Sequence, residues 1–511
     1  MSDNNPITIK DLEKKLWDSA DALRGNLSAE QYMHVVLDIL VLKYINDKYE
    51  NAINNLMDLG LSRDEITKDE LSTEDAFNVP EKSQWNYIMR YVNTESIGEV
   101  LDDALIELGK SNEELQGIFS ATYNDEDIDK ARLSEVIKIF QYGDLSSHGE
   151  DILGRIYEYF LGNFFLKRGQ KGGEFYTPRS IVRLITLFLK PTKGKIYDPA
   201  CGTGGMLVQA KQYIESIHGN LNEITVYGQE FNKTTWNLAK LNLILNGFNI
   251  LNSNDKGELE GALGKQPADT FTNDQHKGRV FDYIMANPPF NMKVWRRDEL
   301  EGDPRWAYGL PPKNNANFAW LQHILFKLAP KGKAGVVLAN GSLTSSTGGE
   351  DDIRRKIIED NKVSCIVALP DKLFYTTGIS ACVWFFDNNK TSKDILFIDA
   401  QEMGTLIEGS KANKEIKDVN LEKLAQIYSD FQLNKEIDIP GLAKSVPLEI
   451  VKENDYSLLP GKYITIPEDE RKDPEIIKKE LKQDIEELMR LIEESKDLEK
   501  ELMEAIKLLD L

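Results

Sequence analysis

Residues 287–290, Asn287-Pro288-Pro289-Phe290, set an amide acceptor, two rigid imino acids and an aromatic ring side by side. They follow Phe281-Asp282-Tyr283-Ile284-Met285-Ala286, a mostly apolar run that reads as a strand. Two adjacent prolines give no N–H to a sheet ladder, so the chain must leave the sheet there in one stiff, extended form. That arrangement suits attack by an exocyclic base amine, whose lone pair is delocalised into the ring. Two acceptors on the amine hydrogens, the Asn287 side-chain oxygen and the Pro288 carbonyl, would turn the nitrogen toward tetrahedral geometry and expose the lone pair. Phe290 offers a flat apolar face for an extruded base. No base is needed before attack, because the proton leaves after the lone pair is committed; positioning and electrostatics drive the step. By itself the tetrapeptide would serve equally well as a loop.

A second cluster gives it context. Asp198-Pro199-Ala200-Cys201-Gly202-Thr203-Gly204-Gly205 lies between a strand-like segment and a helix-like one. Glycines there let a ligand lie against the backbone. The spacing is not the G-x-G-x-x-G of dinucleotide sites, since position 207 is Leu. Nor is there a phosphate loop: Gly264-Lys265 is followed by Gln266. A second strand, Ile224-Thr225-Val226-Tyr227-Gly228, leads to Glu230, 32 positions after Asp198, where a carboxylate can accept both ribose hydroxyls. An acid at each of two successive strand ends, with a glycine turn, points to S-adenosylmethionine rather than a structural turn. Transfer to cytosine carbon 5 would need a nucleophilic cysteine, usually after a proline. Cys201 follows Ala200 inside the glycine loop and reads as a small apolar filler.

These residues need a scaffold. Residues 1–165 read as helical: Ser28 and Gln31 have capping-box spacing, and Leu37, Leu40, Val41 and Tyr44 share one helical face. From about 192 to 400 strand-like and helix-like segments alternate, which predicts a parallel sheet with helices on both faces within an α/β domain taken to span residues 166–465. Residues 400–465 carry the weakest pattern of that stretch. Residues 466–511 read as a charged amphipathic helix. Leu481, Ile485, Leu488 and Ile492, then Leu498, Leu502, Ala505 and Leu509, follow a 4-3-4 spacing. That stripe suits either a coiled-coil partner or packing on the chain's own domain.

Composition narrows the class. The chain has 511 residues and a formal charge of −22, from 62 Lys and Arg against 84 Asp and Glu. Phosphate contacts supply most non-specific DNA affinity, so a chain this acidic, if it acts on DNA, would need another subunit to hold much of a duplex; taken alone, the acidity points first to plain solubility. Three cysteines (Cys201, Cys365, Cys382) and five scattered histidines show no metal-ligand spacing, so no metal is expected. No apolar run is long enough for a membrane span, and the polar N-terminus lacks a signal peptide's apolar centre; a cytoplasmic protein is expected.

Together the motifs resemble the modification (M) subunit of type I restriction-modification systems, an N6-adenine DNA methyltransferase family. The segments DILGRIYEYFLGNFF, GGEFYTPRSIVRLI, DPACGTGGMLVQA, YGQEFNKTTWNLAKLNL, ADTFTNDQHKG, ANPPFNMKVW, NFAWLQHIL and GVVLANGSL occur in that family's order across most of residues 150–390. The resemblance implies a Rossmann-like S-adenosylmethionine-dependent methyltransferase sheet with an all-helical N-terminal domain and a C-terminal helical arm. It implies that Glu174, Phe175, Tyr176, Thr177, Pro178 and Arg179 meet the cofactor's methionine part. Asp198, Thr203, Gly204 and Gly205 then form its glycine-loop contacts, Glu230 the ribose acid, and Asp269, with Asp255 as rival, the acid at the adenine. Asn287, Pro288, Pro289 and Phe290 match the catalytic motif. The implied partners are DNA, a specificity (S) subunit, a second M subunit and, in some assemblies, a restriction (R) subunit.

Other residues leave two readings open. Trp295, Arg296, Arg297, Arg305 and Trp306 form a basic-aromatic cluster suited either to a displaced strand or to a structural lid. Asn317, Phe318 and Trp320 read as the start of a core helix. Lys167, Arg168 and Lys171 suit phosphate or plain solvation. Rival functions are N4-cytosine methylation, methylation of a protein glutamine side chain, and a catalytically silent cofactor-binding scaffold.

Overall fold

The computed structural model describes residues 17, 29–74, 76–141, 177–253, 259–374, 379–407, 413–465, 478, 481–493, 495–496 and 498. Ser28, Lys167, Arg168, Lys171, Glu174, Phe175, Tyr176, Asp255, Leu502, Ala505 and Leu509 lie outside the described residues.

The N-terminal region is helical where it is described. Its longest helix, α1 (Ala29–Asp58), buries Leu37, Leu40, Val41 and Tyr44, the face the spacing predicts. Residues 34–46 are buried on every side, so α1 is a central helix with α2 (Ile97–Ser111) and α3 (Lys130–Gln141) around it. The buried Asp38 carboxylate accepts from the Ser120 N–H at 3.1 Å and its hydroxyl at 3.0 Å, tying the loop after α2 to α1.

The second region is built on one nine-stranded sheet. In chain order its strands are β1 (Gly194–Asp198), β2 (Ile224–Gly228), β3 (Phe281–Ala286), β4 (Leu328–Ala339), β5 (Val363–Ala368), β6 (Ala381–Asp387), β7 (Ile395–Asp399), β8 (Asp438–Ile439) and β9 (Ala443–Val446). Across the sheet they run β8-β9-β7-β5-β6-β4-β3-β1-β2. Strands β2, β1, β3 and β4 are mutually parallel, as the alternation predicts.

Strand β6 departs from that expectation: it inserts antiparallel between β4 and β5. A parallel crossover needs a dozen or more residues, usually a helix. The twelve residues 369–380 that join β5 to β6 sit at the bottom of that range, and their described part contains no helix. The poorly patterned residues 400–465 extend the sheet through β9 and β8, both antiparallel to their neighbours.

Helices cover both faces. On one side lie α4 (Arg179–Leu189), α5 (Gly205–Ser216), α6 (Lys233–Leu245) and α9 (Asp418–Gln432); their core is continuous with that of the N-terminal helices. On the other lie α7 (Asn317–Lys327) and α8 (Glu350–Glu359). Helix α4 sits close because β4 carries Gly335 beneath it: a Cβ there would meet Ile185 Cγ2 at 2.7 Å. Among the described residues no helix is long and apolar enough to cross a membrane. Residues 481–493 are helical, and Leu481, Ile485, Leu488 and Ile492 are all exposed there.

Candidate active site at the carboxyl ends of the central strands

The chain runs from β1 outward to β2, then crosses back to β3 on the other side of β1. In open α/β sheets ligands bind at such a reversal, beyond the carboxyl ends of the strands. Asp198 ends β1, and Asn287 directly follows β3. Tyr197 of β1 lies opposite Ile284 of β3, so the two motifs that the sequence singles out share one crevice.

The β1–β2 half is a backbone cradle. Gly202 (φ 54°) and Gly204 (φ 82°) take left-handed conformations that favour glycine, and Gly204 precedes α5 as its cap. Its carbonyls and amides are tied down: Gly204 N–H donates to Cys201 O at 2.8 Å, and Cys201 N–H to Gln229 O at 2.9 Å. Asn242 of α6 donates to Thr203 O at 2.8 Å. A Cβ added to Gly202 or Gly205 would meet nothing within 4 Å, so one face of the loop is open to a ligand. Beneath it, a Cβ on Gly228 would strike Leu263 at 2.7 Å and Cys201 Sγ at 3.1 Å. Cys201 is thus a packed filler, and burial pushes its thiol well up, away from nucleophilic use.

Both acids line this cradle. Glu230 accepts from Gly202 N–H at 3.0 Å through one oxygen and from Asn232 N–H at 2.8 Å through the other. Asp198 is buried and accepts from Ala200 N–H at 3.0 Å. Burial first, and the nearby Glu230 carboxylate second, push its carboxyl up to about 8 against that hydrogen bond. An arriving cation would reverse that shift, so Asp198 fits a ligand with a positive group. Ala268 N–H donates to Glu230 O at 2.9 Å, which places Asp269 beside the same acid. One Asp269 oxygen is already engaged, capping the next turn through Phe271 N–H and Thr272 N–H, both at 2.9 Å.

The β3–β4 half is wired differently. Asn287 Nδ2 donates to the Thr177 hydroxyl at 2.9 Å. Its Oδ1 is buried with no hydrogen-bond partner. Pro288 is buried, and the Phe290 ring meets Phe374 edge to face at 5.7 Å. Immediately beyond, Asn291 and Asn317 bond reciprocally at 3.0 and 2.9 Å, pinning the chain to the start of α7.

The following loop resolves the basic-aromatic cluster. Trp295, Trp306 and Arg305 are buried, the tryptophans in a small core with Phe271 and Trp320. The Arg305 guanidinium binds Asp303 and the carbonyls of Thr270 (3.2 Å) and Phe271 (2.6 Å). These three form a lid's internal packing and are not open to a displaced strand. Arg296 stays on the surface, ion-paired to Glu299, and Arg297 is half-buried, ion-paired to Glu301 and donating to the Pro311 carbonyl at 3.3 Å. Asn317, Phe318 and Trp320 do begin a core helix. Of the loop before α4, Thr177 reaches Asn287, Pro178 is buried as the cap of α4, and Arg179 is exposed.

Three features escaped the sequence reading. Phe231, the residue after Glu230, is 72% exposed, and an aromatic beside the acid that follows the second strand was a legible signal. The Thr177–Asn287 bond spans 110 positions and leaves no local trace. Asn340, just past β4, also holds a buried, unpartnered Oδ1.

Residues 148–473 match the family model described as N-6 DNA Methylase, and residues 12–140 match the HsdM N-terminal domain. The chain is 40% identical to the type I restriction enzyme HindI methylase subunit of Haemophilus influenzae, over 73% of this chain and 84% of that one. It is 32% identical to the type I restriction enzyme MjaIX methylase subunit of Methanocaldococcus jannaschii, over 97% of this chain and 91% of that one. The crystal structure of a type I restriction-modification system methyltransferase subunit from Streptococcus thermophilus superposes with a TM-score of 0.77 at 28% identity. It covers 90% of this chain and all of that one.

Proposed function

Since the chain belongs to the N-6 DNA methylase family as a type I restriction methylase subunit, an adenine-specific DNA methyltransferase, we propose the following roles for its site residues. The Asn287 Oδ1 and the Pro288 carbonyl accept the two hydrogens of a flipped adenine amine, and Phe290 stacks on the base. The observation that carries this is the buried, unpartnered Oδ1 at the crevice. A buried acceptor left bare costs roughly 1–3 kcal/mol, so its retention wants a ligand to explain it.

The residues of the β1–β2 half fit S-adenosylmethionine, which when bound supplies a methyl group on a cationic sulfur. Gly202, Thr203, Gly204 and Gly205 present their open face to it. Asp198 answers its positive charge, and the Glu230 carboxylate answers its ribose. The exposed Phe231 ring and Asp269 suit its adenine, and Thr177, Pro178 and Arg179 border its methionine end. Glu174, Phe175 and Tyr176 belong to the same proposed loop. On the DNA side, the chain holds the amine by two acceptors and removes no proton before attack; the proton leaves to water once the nitrogen carries positive charge. Cytosine, protein-glutamine and silent-scaffold readings are not favoured by the family.

We assign residues 1–165 to a helical domain, 166–465 to the methyltransferase domain and 466–511 to an arm. The exposed stripe of Leu481, Ile485, Leu488 and Ile492 supports docking of that arm on a specificity subunit, with a second copy of this chain in the assembly and a restriction subunit as a further partner. The net charge of −22 agrees with a partner that holds the duplex. The test is co-expression with neighbouring-gene products, then transfer of labelled methyl to DNA. Label on adenine N6 is expected; label on cytosine or on protein would overturn the reading. Deleting residues 470–511 should release the specificity subunit, and an intact complex would refute the docking role.

A further inference from the structure

We propose that Thr177 is a positioning residue whose hydroxyl orients the catalytic Asn287 amide. This rests on the reading of Asn287 as the acceptor of the adenine amine. A carboxamide has two faces that differ chemically: an oxygen that accepts and an NH₂ that donates. Only the oxygen can receive the hydrogens of a base amine. Turned over, Asn287 would set its own N–H against the base's N–H, and the site would repel its substrate.

In the structure Asn287 Nδ2 is engaged by Thr177 Oγ1 at 2.9 Å, and Oδ1 is the atom left bare. That is the orientation the chemistry needs. The hydroxyl receives the amide N–H and leaves the oxygen for the base. Without it the NH₂ would be an unpaired donor, and the amide would turn to find a partner.

Thr177 is well placed to do this because three features fix its backbone. Pro178 follows it and restricts it to extended conformations. Pro178 is itself the buried cap of α4, and its carbonyl accepts from Ile181 N–H at 2.9 Å. Helix α4 is seated on the sheet over Gly335, which lies opposite Met285 on β3, two positions before Asn287. The hydroxyl and the amide are thereby held by one packed unit, though 110 positions separate them in sequence.

The family resemblance assigns this loop to the cofactor alone, and the two roles separate by experiment. The full chain, co-expressed with its specificity subunit, is assayed on host DNA free of adenine methylation. Thr177→Val keeps the shape and removes the hydroxyl, and Thr177→Ser keeps the hydroxyl. The expected result for Thr177→Val is a fall in kcat of roughly 10- to 100-fold. Any rise in the Kd for S-adenosylhomocysteine should be far smaller than the fall in kcat, and Thr177→Ser should restore the rate. Thr177→Ala serves in place of Thr177→Val if the latter does not fold, judged by thermal melting. Added to Asn287→Ala, the loss of the hydroxyl should lower kcat no further. A Kd rise with kcat preserved at saturating cofactor, or an unchanged rate, would overturn the positioning role while leaving the methyltransferase reading intact. Failure of the unsubstituted complex to methylate adenine would instead strike at that reading.

Discussion

The two halves of the crevice solve opposite problems. On the β1–β2 side the polar groups of the loop largely answer one another. Asp198 takes the Ala200 N–H, Glu230 takes those of Gly202 and Asn232, and Asn242 takes the Thr203 carbonyl. On the β3–β4 side one side chain is deliberately incomplete: Asn287 gives its N–H to Thr177 and leaves Oδ1 buried and bare. A self-satisfied backbone cradle can hold a cofactor in one place through repeated turnovers. In the proposed roles, an unsatisfied acceptor acts only when a substrate arrives, and its binding energy is spent on the base. Substitutions should therefore divide cleanly, with losses in cofactor affinity on one side and losses in rate on the other.

The largest effect should come from Asn287→Ala, which removes the bare acceptor. Methyl transfer is expected to fall by a factor on the order of 1,000, as when one preorganised hydrogen-bonding group is lost from a reaction centre. Cofactor affinity, read by equilibrium binding of S-adenosylhomocysteine, should not move. A matching loss of affinity would erase the distinction between the halves.

Next is Asp198, where the cradle stores electrostatic cost. Its carboxyl is pushed from 3.8 up to about 8, chiefly by burial. A raised folded value means the folded state holds a proton that the unfolded chain has released. The associated stability is full below about pH 4 and is lost as the pH rises through about 8. Between about pH 6 and pH 8 the ligand-free protein should lose on the order of 2 kcal/mol from this group. Asp198→Asn, which cannot ionise, should flatten that decline in thermal melts. Parallel curves for the two proteins would show that Asp198 is already ionised without a ligand.

Phe290→Ala tests the catalytic half from its apolar side. Base–aromatic stacking is worth roughly 1–3 kcal/mol, so a loss of about tenfold or more in kcat is expected. The ring also rests edge to face on Phe374, and its removal will loosen that contact. Unchanged cofactor affinity would keep the effect on the β3–β4 side.

Much of this division was legible before the fold. The tetrapeptide after an apolar run, and an acid at the end of each of two strands, are local patterns, and the sheet put them at adjacent strand ends. The antiparallel insertion of β6 was not legible. Its sequence, Ala381–Asp387, is buried along nearly all its length, and a fully buried strand reads the same in either direction. The burial of Trp295, Trp306 and Arg305 was also hidden. Arg305 looks like a surface cation until Asp303 and the carbonyls of Thr270 and Phe271 are seen around its guanidinium. Long-range partners of single side chains, Thr177 with Asn287 above all, carry no periodicity that a sequence could show.

The smallest expected effect separates two roles within one carboxylate. Asp269 uses one oxygen to cap the turn at Phe271 and Thr272, so only the other is left for a ligand. Asp269→Asn keeps an oxygen for the cap and replaces the other with NH₂. If that second oxygen receives an amine hydrogen of the cofactor's adenine, the new N–H meets a donor. Cofactor Kd should then rise about five- to tenfold, the worth of one hydrogen bond. The melting temperature should stay where it was, because the cap survives. An unchanged Kd would leave Asp269 as a turn-former only and move the adenine contact to another acid, with Asp255 first to be tried. The cofactor half would then be no less self-contained, since the cap and the Ala268–Glu230 backbone bond would still close it on that side.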